Sequence, residues 1–235
     1  MKYDLKIYNS ARHIVTRDET VSNRFRFAIV EVNVKDRSLY AEDSGFSTIL
    51  DDAWSDLPSQ TPSWEFPASL AETIESHLAT QYEQGSRIYT VSYAGVALED
   101  NRIFLSWAGL FRAHLSVGGE ITRSTRDHNL VSDSHGDFQP SRDPRANAMD
   151  SYTPTRQLLA HRTASDSLWE TEVWETDGDY ELIFCSDFYH RFREPQRYVS
   201  HFSDLIKNNI EPEPVPGGGI ISVISARKDV PNAQG

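Results

Sequence analysis

The chain has 235 residues, which is long enough to bury a sizeable core and fits one large domain. Its 35 acidic residues outnumber 23 basic ones, and the net charge of −12 argues against DNA or RNA as a partner, because phosphate backbones are bound by clustered Lys and Arg. The single cysteine, Cys185, excludes a disulfide framework and favours a reducing compartment.

The N-terminus has no apolar stretch of signal-peptide length, and no window approaches the ~20 apolar residues of a membrane-spanning helix. We therefore expect a cytoplasmic protein without a membrane partner.

The N-terminal region predicts two strands. Apolar and polar residues alternate from Tyr3 to Ile7, which is the pattern of a half-buried strand. The run 24–32 is more continuously apolar and predicts a more fully buried strand. Residues 35–66 are polar and rich in Asp, Ser and Pro, and they predict no element.

Residues 67–85 predict a helix. Ser69 and Glu72 resemble a capping box at its start, and Gly85 is a natural terminator. Apolar residues recur every four positions, as on one face of a helix. They are Leu70, Ile74, Leu78 and Tyr82.

The middle of the chain predicts three strands, in the runs 87–98, 102–110 and 111–117. Two turn-forming dipeptides, at 100–101 and 118–119, indicate hairpins within this region.

The C-terminal part predicts a loop over 132–155 and then strands at 168–175 and 180–186, which we interpret as a pair around the turn Asp177-Gly178. A helix is predicted over 195–210 and a closing strand over 220–227.

Strands arranged as hairpins, with helices segregated between them, predict an α+β fold with mostly antiparallel sheet. The chain shows no internal repeat and no second composition regime. Residues 1–227 are therefore predicted to form a single domain, followed by a flexible tail at 228–235.

Motifs in two of these regions occur in the same order in one known family. The run 105–131 contains Gly109, Arg112, Gly119, Thr125, Asp127 and His128. The later run contains Gly178, Asp179, Cys185, Ser186 and Asp187. With these motifs the chain resembles the metal-dependent serine/threonine protein phosphatases of type 2C, from about residue 3 to 227. The resemblance implies a four-layer α-β-β-α sandwich of two mostly antiparallel sheets flanked by helices.

The resemblance also implies a metal site. In this family two divalent cations, Mn²⁺ or Mg²⁺, are held by aspartates and a glycine carbonyl, and they activate water for attack on phosphorus. By resemblance, the residual ligands of such a site are Asp18, Glu31 and Asp187, and Arg112 is a candidate for binding an anion.

Most other positions of the family's site are replaced. Two divalent ions about 4 Å apart repel each other strongly and need several carboxylates, so these losses indicate a pseudophosphatase with no catalytic residue and no cofactor. Relative to the family pattern, the replacements are Arg17 for an acid, Val32 for glycine, Leu110 and Phe111 for Asp and Ser, Phe188 for glycine, and Gly219-Ile220 for Asp-Asn.

The favoured interpretation is a non-catalytic protein-binding or regulatory module with a protein partner. The alternative is a divergent Mn²⁺- or Mg²⁺-dependent phosphoserine/phosphothreonine phosphatase, whose site is rebuilt from residues 35–66, including the segment 40–46. A passive structural subunit is a third, weaker alternative. Trp54 and Trp64, if exposed together, would mark a partner surface.

Overall fold

A computed structural model describes residues 1–9, 11, 14–34, 46–81, 89–126, 128, 157–159, 169–186, 201, 204, 205, 208, 210 and 219–228. Its elements are β1 (Lys2–Asn9), β2 (Ile14–Val21), β3 (Arg24–Val34), α1 (Phe46–Asp56), α2 (Phe66–Gln81), β4 (Tyr89–Glu99), β5 (Arg102–Ala108), β6 (Arg112–Val117), β7 (Glu120–Ser124), β8 (Leu158–Leu159), β9 (Glu170–Glu175), β10 (Tyr180–Cys185) and β11 (Ile220–Arg227).

The chain forms two compact units, and it passes between them several times. The first comprises Met1–Ser10, Arg112–Thr125 and Glu175–Gly235, and the second comprises Ala11–Phe111 and Arg126–Trp174. The prediction of a single domain over 1–227 stays a prediction, and nearly all of the predicted tail lies outside the described residues.

The first unit contains a five-stranded sheet in the order β1-β11-β10-β6-β7, with every pair antiparallel. The strand predicted over 220–227 is confirmed as β11, which pairs with β1 and β10. One sheet face buries a cluster that includes Ile183, Cys185 and Val223, and Leu205 packs against it.

The second unit contains a sheet in the order β2-β3-β4-β5-β9, with β8 paired to β4 beside this path. Helices α1 and α2 cover one of its faces, where Ala28 and Val30 of β3 join their core. The predicted stripe of α2 is confirmed at Leu70, Ile74 and Leu78, which are fully buried.

Two details of the helices differ from the sequence prediction. Helix α2 begins at Phe66, so Ser69 lies inside it and its N–H donates to the Glu65 carbonyl, which rules out Ser69 as the cap. Helix α1 lies in the region where no element was predicted. It forms because Ile49 and Ala53, one turn apart, bury one helical face in the core.

The predicted pairing of the strands at 168–175 and 180–186 is wrong. β9 lies beside β5 in the second unit, whereas β10 lies between β11 and β6 in the first. The hairpins predicted at 100–101 and 118–119 are confirmed, since they join β4 to β5 and β6 to β7.

The predicted α+β class is confirmed, with two antiparallel sheets and two helices among the described residues. The loop predicted over 132–155 and most of the helix predicted over 195–210 lie outside those residues. Neither α1 nor α2 has the length and apolar character that crossing a bilayer requires, and no other described helix does.

Candidate functional site

Glu31 is a buried carboxylate near the end of β3, with 7% of its surface exposed. In the sheet it lies opposite Ile14 of β2 and Ser92 of β4. Side chains alternate between the two faces of a strand, and the neighbouring Val30 faces the helices. Glu31 therefore lies on the sheet face that points away from α1 and α2.

Asp18 is exposed and lies opposite Phe27, on the same sheet face as Glu31. It is four residues along β2 from Ile14, the residue that faces Glu31. At ~3.3 Å per residue this is about 13 Å along the strand. The structure therefore does not bring the two predicted residual ligands next to each other.

Arg17, which stands where the family pattern has an acid, does not lie on that face. It pairs with Ala28 on the helix-covered face of the sheet. Its Nη1 donates to Asp51 Oδ1 at 2.8 Å, and its guanidinium carbon is 5.3 Å from the centroid of the Trp54 ring. Arg17 is therefore a contact between β2 and α1.

Gly109 ends β5 and starts the connection to β6. Its φ is +88°, a conformation that L side chains rarely adopt, and an added Cβ would lie 2.4 Å from Ser92 Oγ. The chain at this point therefore requires glycine for two independent reasons.

His128 holds this connection in place. Its backbone N–H donates to the Gly109 carbonyl at 3.0 Å, and the Gly109 N–H donates to His128 Nδ1 at 3.3 Å. Because Nδ1 accepts a hydrogen bond, the neutral ring carries its proton on Nε2, which is 3.6 Å from Glu170 Oε1. The ring is fully buried and stacks on Trp107, with 5.8 Å between centroids.

Thr125, like His128, makes hydrogen bonds with the backbone of another segment. Thr125 Oγ1 accepts from the Ala113 N–H at 2.9 Å, and the Thr125 N–H donates to the Ala113 carbonyl. Glu170 completes the second unit's network by pairing with Arg126, and nothing in its sequence context signals this contact. Asp127 lies outside the described residues.

Apolar side chains follow Gly109. Phe111, which stands where the family has a polar residue, is fully buried. Arg112, the candidate anion-binding residue, is 8% exposed at the start of β6 and lies opposite Cys185. Cys185 is a buried strand residue, and its thiol points at the Arg112 carbonyl with a sulfur–oxygen distance of 3.8 Å.

Ser186 fixes the chain where the strands of the first unit end. Its N–H donates to the Ile220 carbonyl at 3.0 Å, and its Oγ accepts from the Ile220 N–H at 3.0 Å. This places Gly219 beside the end of β10. Asp187 and Phe188, which come next, lie outside the described residues.

The described residues contain no group of three His, Cys, Asp or Glu side chains placed to hold a metal ion. Of the predicted residual ligands, Glu31 and Asp18 lie on one sheet face about four residues apart along the strands. The candidate anion-binding residue, Arg112, belongs to the other unit.

By sequence, the chain matches no known protein family and no curated protein. Solved structures give clear matches across nearly the whole chain. PppA of Pseudomonas aeruginosa, a key regulatory component of T6SS, is 12% identical with a TM-score of 0.66, over 96% of this chain and 97% of that one. A serine/threonine phosphatase of S. agalactiae is 12% identical with a TM-score of 0.66, over 95% of this chain and 99% of that one.

The serine/threonine phosphatase PstP of Mycobacterium tuberculosis is 15% identical, with a TM-score of 0.61 over 96% of this chain and 98% of that one. The PstP catalytic domain has also been solved in complex with two manganese ions. The chain therefore has the fold of bacterial serine/threonine phosphatases. The resemblance to the type 2C family, predicted from the motifs, is confirmed as a likeness of fold.

Proposed function

We propose that this chain is a pseudophosphatase, a phosphatase 2C-like protein with a dismantled metal site that acts as a protein-binding or regulatory module. One observation carries the proposal. Phe111 is fully buried at a position where the family sequence has a polar residue, and the apolar Leu110 precedes it. A buried aromatic ring offers neither a ligand to a hard cation nor a hydrogen bond to its water shell.

The placement of the carboxylates supports the same proposal. A centre with two divalent ions requires several carboxylates close together, because the ions repel each other. Glu31 lies opposite the apolar Ile14, and Asp18 is four residues along the strand. Asp18, Glu31 and Asp187 remain the proposed residual ligands, and Arg112 remains the proposed anion-binding residue.

The regulatory part of the proposal draws on the fold neighbours. PppA is itself a regulatory component of a larger system. A phosphatase-like fold with a net charge of −12 suits binding to a protein partner, with neither nucleic acid nor membrane as the ligand. We place this module in the cytoplasm because a chain with one cysteine, the buried Cys185, cannot form an internal disulfide.

One observation favours a second function, a divergent Mn²⁺- or Mg²⁺-dependent phosphoserine/phosphothreonine phosphatase. The buried Glu31 is a hard-oxygen ligand on the strand where the family pattern has an aspartate. Of the acids expected to rebuild a site, Asp51 is engaged by Arg17, whereas Glu42 and Asp43 lie outside the described residues.

The test is hydrolysis of an aryl phosphate by the purified full chain, with and without millimolar Mn²⁺. Glu31→Gln and Asp187→Asn are the matched variants, because each removes a charge with almost no change in shape. The proposal predicts that all three proteins show the same background rate. Turnover that needs Mn²⁺ and disappears in both variants would establish the second function instead.

A further inference from the structure

Trp64 is exposed to solvent to an unusual degree for this chain. Its exposed fraction is 66%, whereas Trp54, Trp107 and Trp174 are at most 5% exposed. Trp54 and Trp64 are therefore not exposed together, and Trp64 is the exposed one of the two. A single exposed apolar residue is ordinary on a protein surface. What distinguishes Trp64 is the segment that carries it, residues 57–65 between α1 and α2, which we call the Trp64 loop.

A buried arginine of the sheet donates hydrogen bonds to the backbone of the Trp64 loop. Arg26 of β3 is 2% exposed, and its Nη2 donates to the carbonyls of Thr61 at 2.6 Å and Ser59 at 3.3 Å. Its guanidinium carbon is 4.6 Å from the centroid of the Phe66 ring. Burial lowers the pKa of Arg26. Hydrogen bonds to a buried cation are strong and directional, so they hold the loop in one conformation.

The residues on either side of Trp64 are also held. Ser63 is 1% exposed, and the influence of its side chain lowers the pKa of Glu99. Phe66 is fully buried, with its ring edge-on to Trp54 at 4.9 Å between centroids. The N–H groups of Glu65 and Phe66 both donate to the Pro62 carbonyl. These contacts therefore hold the backbone on both sides of the indole.

An exposed tryptophan on a fixed loop is preorganised for binding. Little conformational entropy remains to be lost on association, because the backbone around it is already ordered. Tryptophan is also among the residues that contribute most to protein interfaces. The Trp64 loop therefore has the properties of an interface anchor.

The net charge of the chain indicates the chemistry of the partner. Glu65, the residue after Trp64, is exposed. Glu99 has two basic neighbours, since Arg24 pairs with it at 3.1 Å and Arg102 lies opposite it in the sheet. The chain as a whole has a net charge of −12. The face of an indole ring is the best aromatic site for a Lys or Arg cation.

We propose that the Trp64 loop is a docking surface for a basic protein segment, in which a Lys or Arg side chain of the partner stacks on the indole of Trp64. This inference rests on the proposed function as a protein-binding module, and it names the surface and the kind of partner.

The probe is a fluorescein-labelled ten-residue peptide of alternating Lys and Ser, titrated with the full chain and followed by fluorescence anisotropy at low salt. We expect Trp64→Ala to weaken binding by about threefold to tenfold, which is the range for a partly exposed cation–π contact. Trp64→Phe retains a ring and should lose less affinity. The matched control is Val173→Ala, since Val173 is 55% exposed on β9.

Trp64→Ala and Val173→Ala binding with equal affinity would overturn the inference, because the attraction would then be only that of the overall charge. Equal binding of the peptide with all lysines acetylated would also overturn it. Either failure leaves the phosphatase assay unaffected. Conversely, Mn²⁺-dependent turnover would contradict the proposed function and leave the peptide result as it stands, so the two failures are distinguishable.

Discussion

Replacing Gly109 by alanine should destabilise the fold through two separable effects. At φ +88° a side chain costs about 1–2 kcal/mol because Cβ crowds the backbone. The new Cβ would also lie 2.4 Å from Ser92 Oγ and 2.9 Å from Ser92 Cα, a backbone atom that cannot rotate away. Overpacking of this kind costs about 1–3 kcal/mol. Together these two effects should lower the free energy of unfolding by about 2–5 kcal/mol.

The matched control is Gly119→Ala. Gly119 has φ +86°, nearly the same backbone conformation, but nothing lies within 4 Å of its added Cβ. It should therefore show only the backbone cost of about 1–2 kcal/mol. Urea unfolding of both variants gives the two free energies, and the thermal midpoint should fall by about 2–4 °C for each kcal/mol. If Gly109→Ala is no less stable than Gly119→Ala, the crowding against Ser92 is refuted.

Three further outcomes follow from polar contacts in the second unit. Arg26→Met should lower the free energy of unfolding by about 2–3 kcal/mol, because two loop carbonyls lose a charged donor; an unchanged urea midpoint would contradict this. Ser63→Ala should raise the pKa of Glu99 toward its ordinary value, and NMR titration of Glu99 measures this change. The pKa of Glu99 is lowered in the folded state, so its ionised carboxylate stabilises the fold at pH values above its ordinary pKa. This stabilisation is lost as the pH falls through the folded-state pKa. The unaltered chain and Ser63→Ala should therefore have the same free energy of unfolding in acid and different ones at neutral pH. Tyr93→Phe should cost about 1–3 kcal/mol, because the buried Tyr93 hydroxyl donates to the Pro67 carbonyl at 2.6 Å; calorimetry showing equal stability would rule out that bond.

Elements with a strong local signal were predictable from the sequence. Four of the first five residues of the strand at 220–227 are β-branched, and the turns at 100–101 and 118–119 contain residues that accept positive φ. Helix α1 was missed because its region is rich in Asp, Ser and Pro, although Ile49 and Ala53 have helical spacing.

Partners that lie far apart along the chain were not predictable. β9 and β10 adjoin a typical turn dipeptide and still belong to different sheets, because pairing depends on contacts that no local pattern encodes. The same limit applies to the candidate site. Motif spacing selected Asp18, but only the register of β2 and β3 shows that Ile14 lies opposite Glu31 and that Arg17 faces α1.

Direct titration of the full chain with Mn²⁺, followed by the electron paramagnetic resonance signal of the free ion, tests the central claim. A chain with a dismantled metal site should show no saturable binding up to millimolar Mn²⁺, and the unaltered chain and Glu31→Gln should give identical curves. Saturable uptake of two ions per chain, lost in Glu31→Gln, would contradict the account and show that this fold still holds a metal centre.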